Sequence, residues 1–278
     1  MKHFTLLMAI ICSAIFARAQ QPALYECIYQ YAVHGQDTSG EPFVDTYYTV
    51  LQIGNAQAKF QDYASFALDS LNSRGDATPE LLDQYKRRER TSVNFFDQTV
   101  FQNFPAGKMT VWSVITPDYY TYEETARPVR WSLSEDTDTL CGYPCRKATG
   151  SYGGRQWTAW YAPEIPAPFG PWKLTGLPGL ILAATDSEGI HRFTAISFRP
   201  ATAPISPLPQ QSALSTTREK FIKAKNRFEK APMQNLPVEA ISVIKVEKMS
   251  EGAQDNSISI NGVPLRLHTH PYIPLETE

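Results

Sequence analysis

The side chains through which this chain could do chemistry are few: Cys27, Cys141 and Cys145, then His34, His191, His268 and His270, all beyond an N-terminal apolar segment. Cys141 and Cys145 form a CxxxC pair, but a redox centre needs an activated thiolate, such as one at a helix N-terminus, and that setting is missing. His268 and His270 lie two apart on an expected strand and so face one side, an arrangement a metal uses. With no third ligand near in sequence they read as exposed polar residues, and no metal is expected. His191, beside Asp186 and Glu188 at a hairpin turn, reads as a surface residue. The chain has no GxSxG elbow, HExxH, Walker loop or dinucleotide fingerprint. Its serines, histidines and aspartates carry no triad spacing. The expectation is therefore no catalytic residue set and no cofactor, with a hydrolase of unrecognised active site as the alternative.

The aromatic residues are more suggestive. Tyr152, Trp157, Trp160, Tyr161, Phe169 and Trp172 crowd into one hairpin and the proline-rich loop after it, with Leu177 and Pro178 beyond. Aromatics on stiff supports line apolar and peptide-binding grooves. These eight residues are the expected ligand-binding surface, for a hydrophobic ligand, an extended peptide or an envelope partner. The plainer reading, a hairpin whose large side chains close the end of a core with no ligand, stands beside it.

The elements that must position these groups are mostly strands. Alternation of apolar residues predicts strands over 24–34, 43–53, 93–101, 109–115, 119–122, 129–133, 144–151, 155–162, 180–185, 190–198, 240–247 and 258–267. Gly153-Gly154 marks a tight hairpin, since glycine accepts the primed-turn dihedrals. Residues 60–71 recur near helical spacing, although 59–63 equally suit the end of a strand. A clearer helix starts at Thr78 and Pro79, with the basic run Lys86–Arg90 as its solvated end. A second is expected where Thr216 and Glu219 form a capping box, with Phe221, Ala224 and Phe228 on one side and Pro232 ending it. Two short helices are thus expected, and no repeat of fixed period occurs. The loop from Pro163 to Pro178 carries five prolines, which lower the entropy of its unfolded state and favour one ordered conformation.

Within that loop the run Trp172-Lys-Leu-Thr-Gly-Leu-Pro-Gly-Leu-Ile181 has glycines and a proline at fixed offsets inside an apolar segment. Gly176 to Ile181 read GLPGLI, and the chain resembles the bacterial exported family named for that signature, whose function is unassigned. The resemblance extends to 141–148, 154–166 and Gly170-Pro-Trp-Lys-Leu, and to Lys59-Phe-Gln-Asp-Tyr and Leu68-Asp-Ser70. It is most specific over about 130–198. It implies export and supplies no catalytic residue; it also implies a cysteine at Cys145, with Cys141 an addition. The strand-rich order is further similar to half-barrel proteins of the lipoprotein-carrier type. The expected fold is mainly β (a β-rich α+β protein), one curved antiparallel sheet wrapping helices, with a closed barrel or a sandwich as alternatives.

Lys2 and His3, the apolar run Leu6–Phe16 and Ala17-Arg-Ala19 form a signal peptide, 1–19, with cleavage expected between Ala19 and Gln20. The run is too short to span a bilayer, and no later stretch suffices. A single β-rich domain over 20–278 in the periplasm or outside the cell is the expectation. Removing Lys2 and Arg18 takes the formal charge from −2 to −4, an acidic balance unsuited to nucleic acid. In an oxidising compartment the three remaining cysteines suit one disulfide and one free thiol. Cys141 and Cys145 would lie about 13 Å apart on a straight strand, too far to bond unless Gly142 and Pro144 turn the chain; Cys27 could pair with either.

Overall fold

The computed structural model describes residues 21–75, 77–91, 94–209, 211–236, 244–246, 258–261 and 263–277. The expected signal peptide and most of the predicted strand 240–247 lie outside these. Eleven strands follow in the order β1 (Tyr25–Gln36), β2 (Pro42–Ile53), β3 (Ala58–Asp62), β4 (Gln98–Gln102), β5 (Lys108–Ile115), β6 (Asp118–Thr125), β7 (Trp131–Leu140), β8 (Tyr143–Tyr152), β9 (Arg155–Ala162), β10 (Leu180–Asp186) and β11 (His191–Pro200). With β12 (Ala213–Ser215) they form one open twelve-stranded sheet, ordered β12-β6-β5-β4-β3-β2-β1-β11-β10-β9-β8-β7. A second sheet joins β13 (Ile244–Val246), β14 (Ile258–Ile260) and β15 (Val263–Leu265).

The topology is two meanders run together. The strands from β1 to β6 unroll to one edge, those from β7 to β11 roll back from the other edge, and β1 pairs with β11 in the centre. Successive hairpins make every pairing antiparallel except the short parallel contact of β12 with β6. The consequence for shape lies between Thr125 and Trp131. The five residues between them lead from β6, beside one edge of the sheet, to β7 at the opposite edge, and six extended Cα–Cα steps reach at most about 21 Å. The sheet is therefore strongly curved, its edges held close without pairing, so that a seam separates β6 from β7.

Period-two alternation assigns the faces. Cys27, Tyr29, Tyr31 and Val33 of β1 join the core on the inner face, as do Tyr47, Leu51 and Ile53 of β2. In register across three strands, Tyr47, Tyr31 and Phe193 stack, Tyr31 and Phe193 at 4.3 Å between ring centres. Cross-strand aromatic pairs of this kind pin the register.

Among the described residues there are three α-helices, one more than the two expected: α1 (Tyr63–Arg74), α2 (Pro79–Thr91) and α3 (Arg218–Lys230). The ambiguous stretch 59–71 is both things in turn, strand β3 to Asp62 and then α1. Asp62 makes the switch: its carboxylate accepts from the Ala64 and Phe96 amides at 2.8 and 3.0 Å, while Gly75 closes the helix at φ 71°. α1 lies on the outer face, where Phe66 packs with Ile28, Val50 and Ala203. Thr78 and Pro79 start α2 as read, Thr78 Oγ1 accepting from the Leu81 amide at 3.2 Å. α3 lies on the inner face, burying Phe221 and Phe228. Its cap is Thr217 rather than Thr216: Thr217 Oγ1 accepts from the Lys220 amide at 3.4 Å, while Thr216 still runs beside β6, its amide donating to the Thr121 carbonyl. None of the described helices is long and apolar enough to cross a membrane.

Candidate functional site: the seam and the strap

The GLPGLI loop fills the seam. Gln102 of β4 donates to the carbonyls of Gly170 and Trp172 at 2.8 and 2.6 Å. Trp131 of β7 donates to the Thr175 carbonyl at 2.9 Å, and Lys173 reaches β6. The glycines are there because backbone passes through tight space. Gly176 has φ 97°, and a Cβ on it would lie 2.5 Å from the Pro128 ring; at Gly179 a Cβ would lie 2.2 Å from the Ala162 carbonyl oxygen. The proline ring is rigid and the Ala162 carbonyl is backbone, so neither yields and both positions are closed to any side chain.

The structure distributes the eight residues expected to bind ligand unevenly. Trp157, Tyr161, Phe169, Trp172 and Leu177 are core; Tyr152 and Trp160 are half-buried, and Pro178 is exposed. Tyr152 and Trp157 pack on Trp172, 5.4 and 6.2 Å between ring centres, and Trp172 donates to the Gln98 side chain. Trp160 points the other way, onto the outer face, in register with Ala183 and Lys147. The cluster thus plugs the seam with its inner members and presents to solvent only Tyr152, Trp160 and Pro178.

Beneath the plug lies a set of charges that the sequence did not announce. Lys173, with no exposed surface, contacts Glu124 at 2.7 Å, Glu276 at 2.9 Å and the Tyr122 hydroxyl at 3.0 Å. Arg218 at the start of α3 pairs with Glu276 at 2.6 Å and Glu124 at 3.5 Å. Burial works against the Lys173 charge, but Tyr122, Glu276, Tyr152 and Glu124 outweigh it and hold the ammonium above its usual pKa range. Burial also pushes the Tyr122 phenol up to about 12. Two cations and two carboxylates balance; each lies far from its partners in sequence, which is why no spacing revealed them.

Glu276 belongs to a strap, residues 266–277, that runs along the inner face beyond β15 without helix or strand. Arg155 donates to the Pro274 and Leu275 carbonyls at 2.7 and 3.2 Å, and the Thr277 amide donates to the Gly153 carbonyl at 2.9 Å. His270 meets Asp45 at 2.8 Å and stacks on Phe43. His268 faces Glu229 of α3 at 3.6 Å. The two histidines read as a same-facing strand pair therefore lie on no strand and reach different partners. Among the described residues no three His, Cys, Asp or Glu side chains are grouped to hold a metal ion. Under the strap remains a cavity of about 50 Å³, walled by Tyr31, Tyr47, Phe96, Tyr272 and Ile273 among others.

His191 is a correction to the sequence reading: it is fully buried, not on the surface. Its Nδ1 meets the Tyr31 hydroxyl at 2.8 Å, and its amide donates to Asp186, which also pairs with Arg155 at 2.7 Å. Burial, then the Arg155 charge, lowers the imidazole pKa to about 4, so the ring is neutral. Its place at the first residue of β11, facing Val33 of β1, was the signal available in the strand pattern.

The three cysteines among the described residues form no disulfide. Cys27 and Cys145 are buried, while Cys141 is exposed in the turn between β7 and β8. Cys141 and Gly142 occupy that turn at φ 50° and 81°, and Cys141 Sγ lies 3.3 Å from the Ala195 carbonyl. On the outer side, Lys59 donates to Ser206 at 2.6 Å and to Asp69 at 2.8 Å, and Ser206 donates to Asp69 at 2.6 Å. Burial lowers the Lys59 pKa, and Asp69 opposes that shift.

Residues 153–183 match the family model described as a protein of unknown function, Porph_ging. No curated protein matches the chain. Two solved structures of PNGF-II, in P21 and C2 space groups, superpose at TM-scores of 0.47 and 0.45 with 13% identity. Each alignment covers 73% of this chain and 33% or 32% of the other, so the chain spans about a third of that protein's length. The family match falls on the hairpin and loop that plug the seam, the stretch that carries the GLPGLI signature the chain resembles.

Proposed function

We propose that the protein is an exported, non-enzymatic binding or accessory protein of the bacterial envelope, and that its hydrophobic ligand lies in the trough on the inner face of the curved sheet. One observation carries this reading. The trough is covered not by the sheet itself but by a segment without regular structure, beneath which a cavity of about 50 Å³, walled by aromatic and aliphatic side chains together with Asp45, Asp97, Gln98 and His268, is left unfilled, room for a few water molecules. Five of the eight seam residues are committed to the core, which favours the trough over the loop surface in this reading. Export rests on the leader pattern of residues 1–19; N-terminal sequencing of envelope-purified protein should begin at Gln20. Native mass spectrometry of the same material should show a bound apolar species or partner. A bare polypeptide mass in repeated preparations would overturn the reading.

A hydrolytic reading has one observation in its favour, the Ser206–Lys59–Asp69 contact. A serine beside a lysine of lowered pKa is a known nucleophile–base arrangement. A fluorophosphonate probe that labels native but not heat-denatured protein, and fails on Ser206→Ala, would establish it; the binding reading expects no such labelling.

A further inference from the structure

We propose that the trough recognises an extended peptide bearing a carboxylate, and that the strap, residues 266–277, is the chain's own occupant of that site. The inference rests on the reading of the trough as the ligand site and specifies the chemistry of what enters it. The strap is bound as peptides are bound, through its main chain: Arg155 holds the carbonyls of Pro274 and Leu275, and Gly153 accepts from the Thr277 amide. Its apolar side chains, Ile273 and Leu275, face the core. Its one buried charge, Glu276, sits between Lys173 and Arg218.

Charge complementarity fixes the ligand class. If the strap left, Lys173 and Arg218 would share Glu124 alone, and a buried cation without a counter-charge is costly. Anything that replaces the strap must bring a carboxylate to the same place. A fatty acid brings one, but it has no peptide groups for Arg155 and Gly153, and unmade buried hydrogen bonds count against it. An extended peptide satisfies both requirements. The cavity under the strap allows a bulkier apolar side chain than the strap supplies, so a partner segment can fill the trough better than the resident one.

The test uses the full mature chain and a fluorescein-labelled peptide with the sequence of residues 268–277. In Glu276→Gln, which loosens the protein's own strap, the peptide should bind roughly ten- to hundredfold more tightly than to the wild type, the worth of a hydrogen bond to a charged group. The same peptide with glutamine in place of its glutamate should lose that gain. A folded Glu276→Gln protein that ignores the peptide, or binds both peptides equally, overturns the proposal. So does displacement of the peptide by dodecanoic acid at equal concentration, which would leave the hydrophobic-ligand reading standing; an apolar ligand found by native mass spectrometry with no peptide binding has the same meaning. Should the variant fail to fold, hydrogen exchange on the wild type decides. Strap amides should exchange at least about tenfold faster than those of β9 and β10, and equal protection would make the strap part of the core and overturn the proposal.

Discussion

Acidification should unfold this protein partly through His191, by an amount the structure sets. The imidazole is fully buried against Tyr31, with Arg155, Asp186 and the Pro274 carbonyl around it, and its pKa falls from 6.5 to about 4. Between these values the unfolded chain carries a proton that the folded chain refuses, so the unfolded state binds more protons and stability is lost as the pH falls. The interval of about 2.5 pH units is worth roughly 3 kcal/mol at 1.36 kcal/mol per unit. Asp62 acts in the opposite sense. Burial raises its pKa from 3.8 to about 6, the folded state gains its proton first, and stability rises as pH falls through that window by a similar amount. The wild-type curve alone therefore conceals both. Urea unfolding of wild type and His191→Gln, followed by tryptophan fluorescence in steps from about pH 7 to 4, separates them. The variant should gain on the wild type by roughly 3 kcal/mol across the range, and Asp62→Asn should drift the other way. Parallel curves for wild type and His191→Gln would refute the assignment of a buried neutral ring.

Further outcomes follow from the seam. Lys173→Met removes one of two cations facing Glu124 and Glu276 and should cost about 3–5 kcal/mol in urea unfolding; Lys173→Met combined with Glu276→Leu should recover part of it. Gly179→Ala, whose Cβ would meet the Ala162 carbonyl oxygen at 2.2 Å, should abolish soluble folded protein. Gly142→Ala, at φ 81° with nothing within 4 Å, should cost only about 1 kcal/mol of backbone strain. Native protein should react with a maleimide at Cys141 alone, and Cys27 and Cys145 should appear only on unfolding; fewer thiols than three in denaturant would reveal a disulfide.

What was legible in the sequence was local. Alternation placed most strands of the large sheet, and Gly153-Gly154 announced its hairpin. It stopped β7 at Leu133, however, because the strand continues through Ser134–Thr139 as an exposed edge with no buried face to pattern it. The predicted strand 258–267 is instead a hairpin of β14 and β15 turning at Asn261, φ 54°, before the strap begins. The seam was not legible, since its charges come from β6, the loop, α3 and the strap, and no spacing links residues 124, 173, 218 and 276. The aromatic cluster was found for its composition, and period-two alternation puts Trp157 and Trp160 on opposite sides of one strand, but neither says which side faces the core. His191 was misplaced for the same reason, a polar residue at a turn whose strand position turns it inward.

The claim that binding occurs in the trough and not on the aromatic loop can be tested by position. Benzoylphenylalanine placed in separate full-length variants at Phe96 in the trough wall and at Trp160 and Pro178 on the loop side, and irradiated in cells, should capture a ligand or partner at position 96 alone. Capture at 160 or 178 with none at 96 would contradict the account.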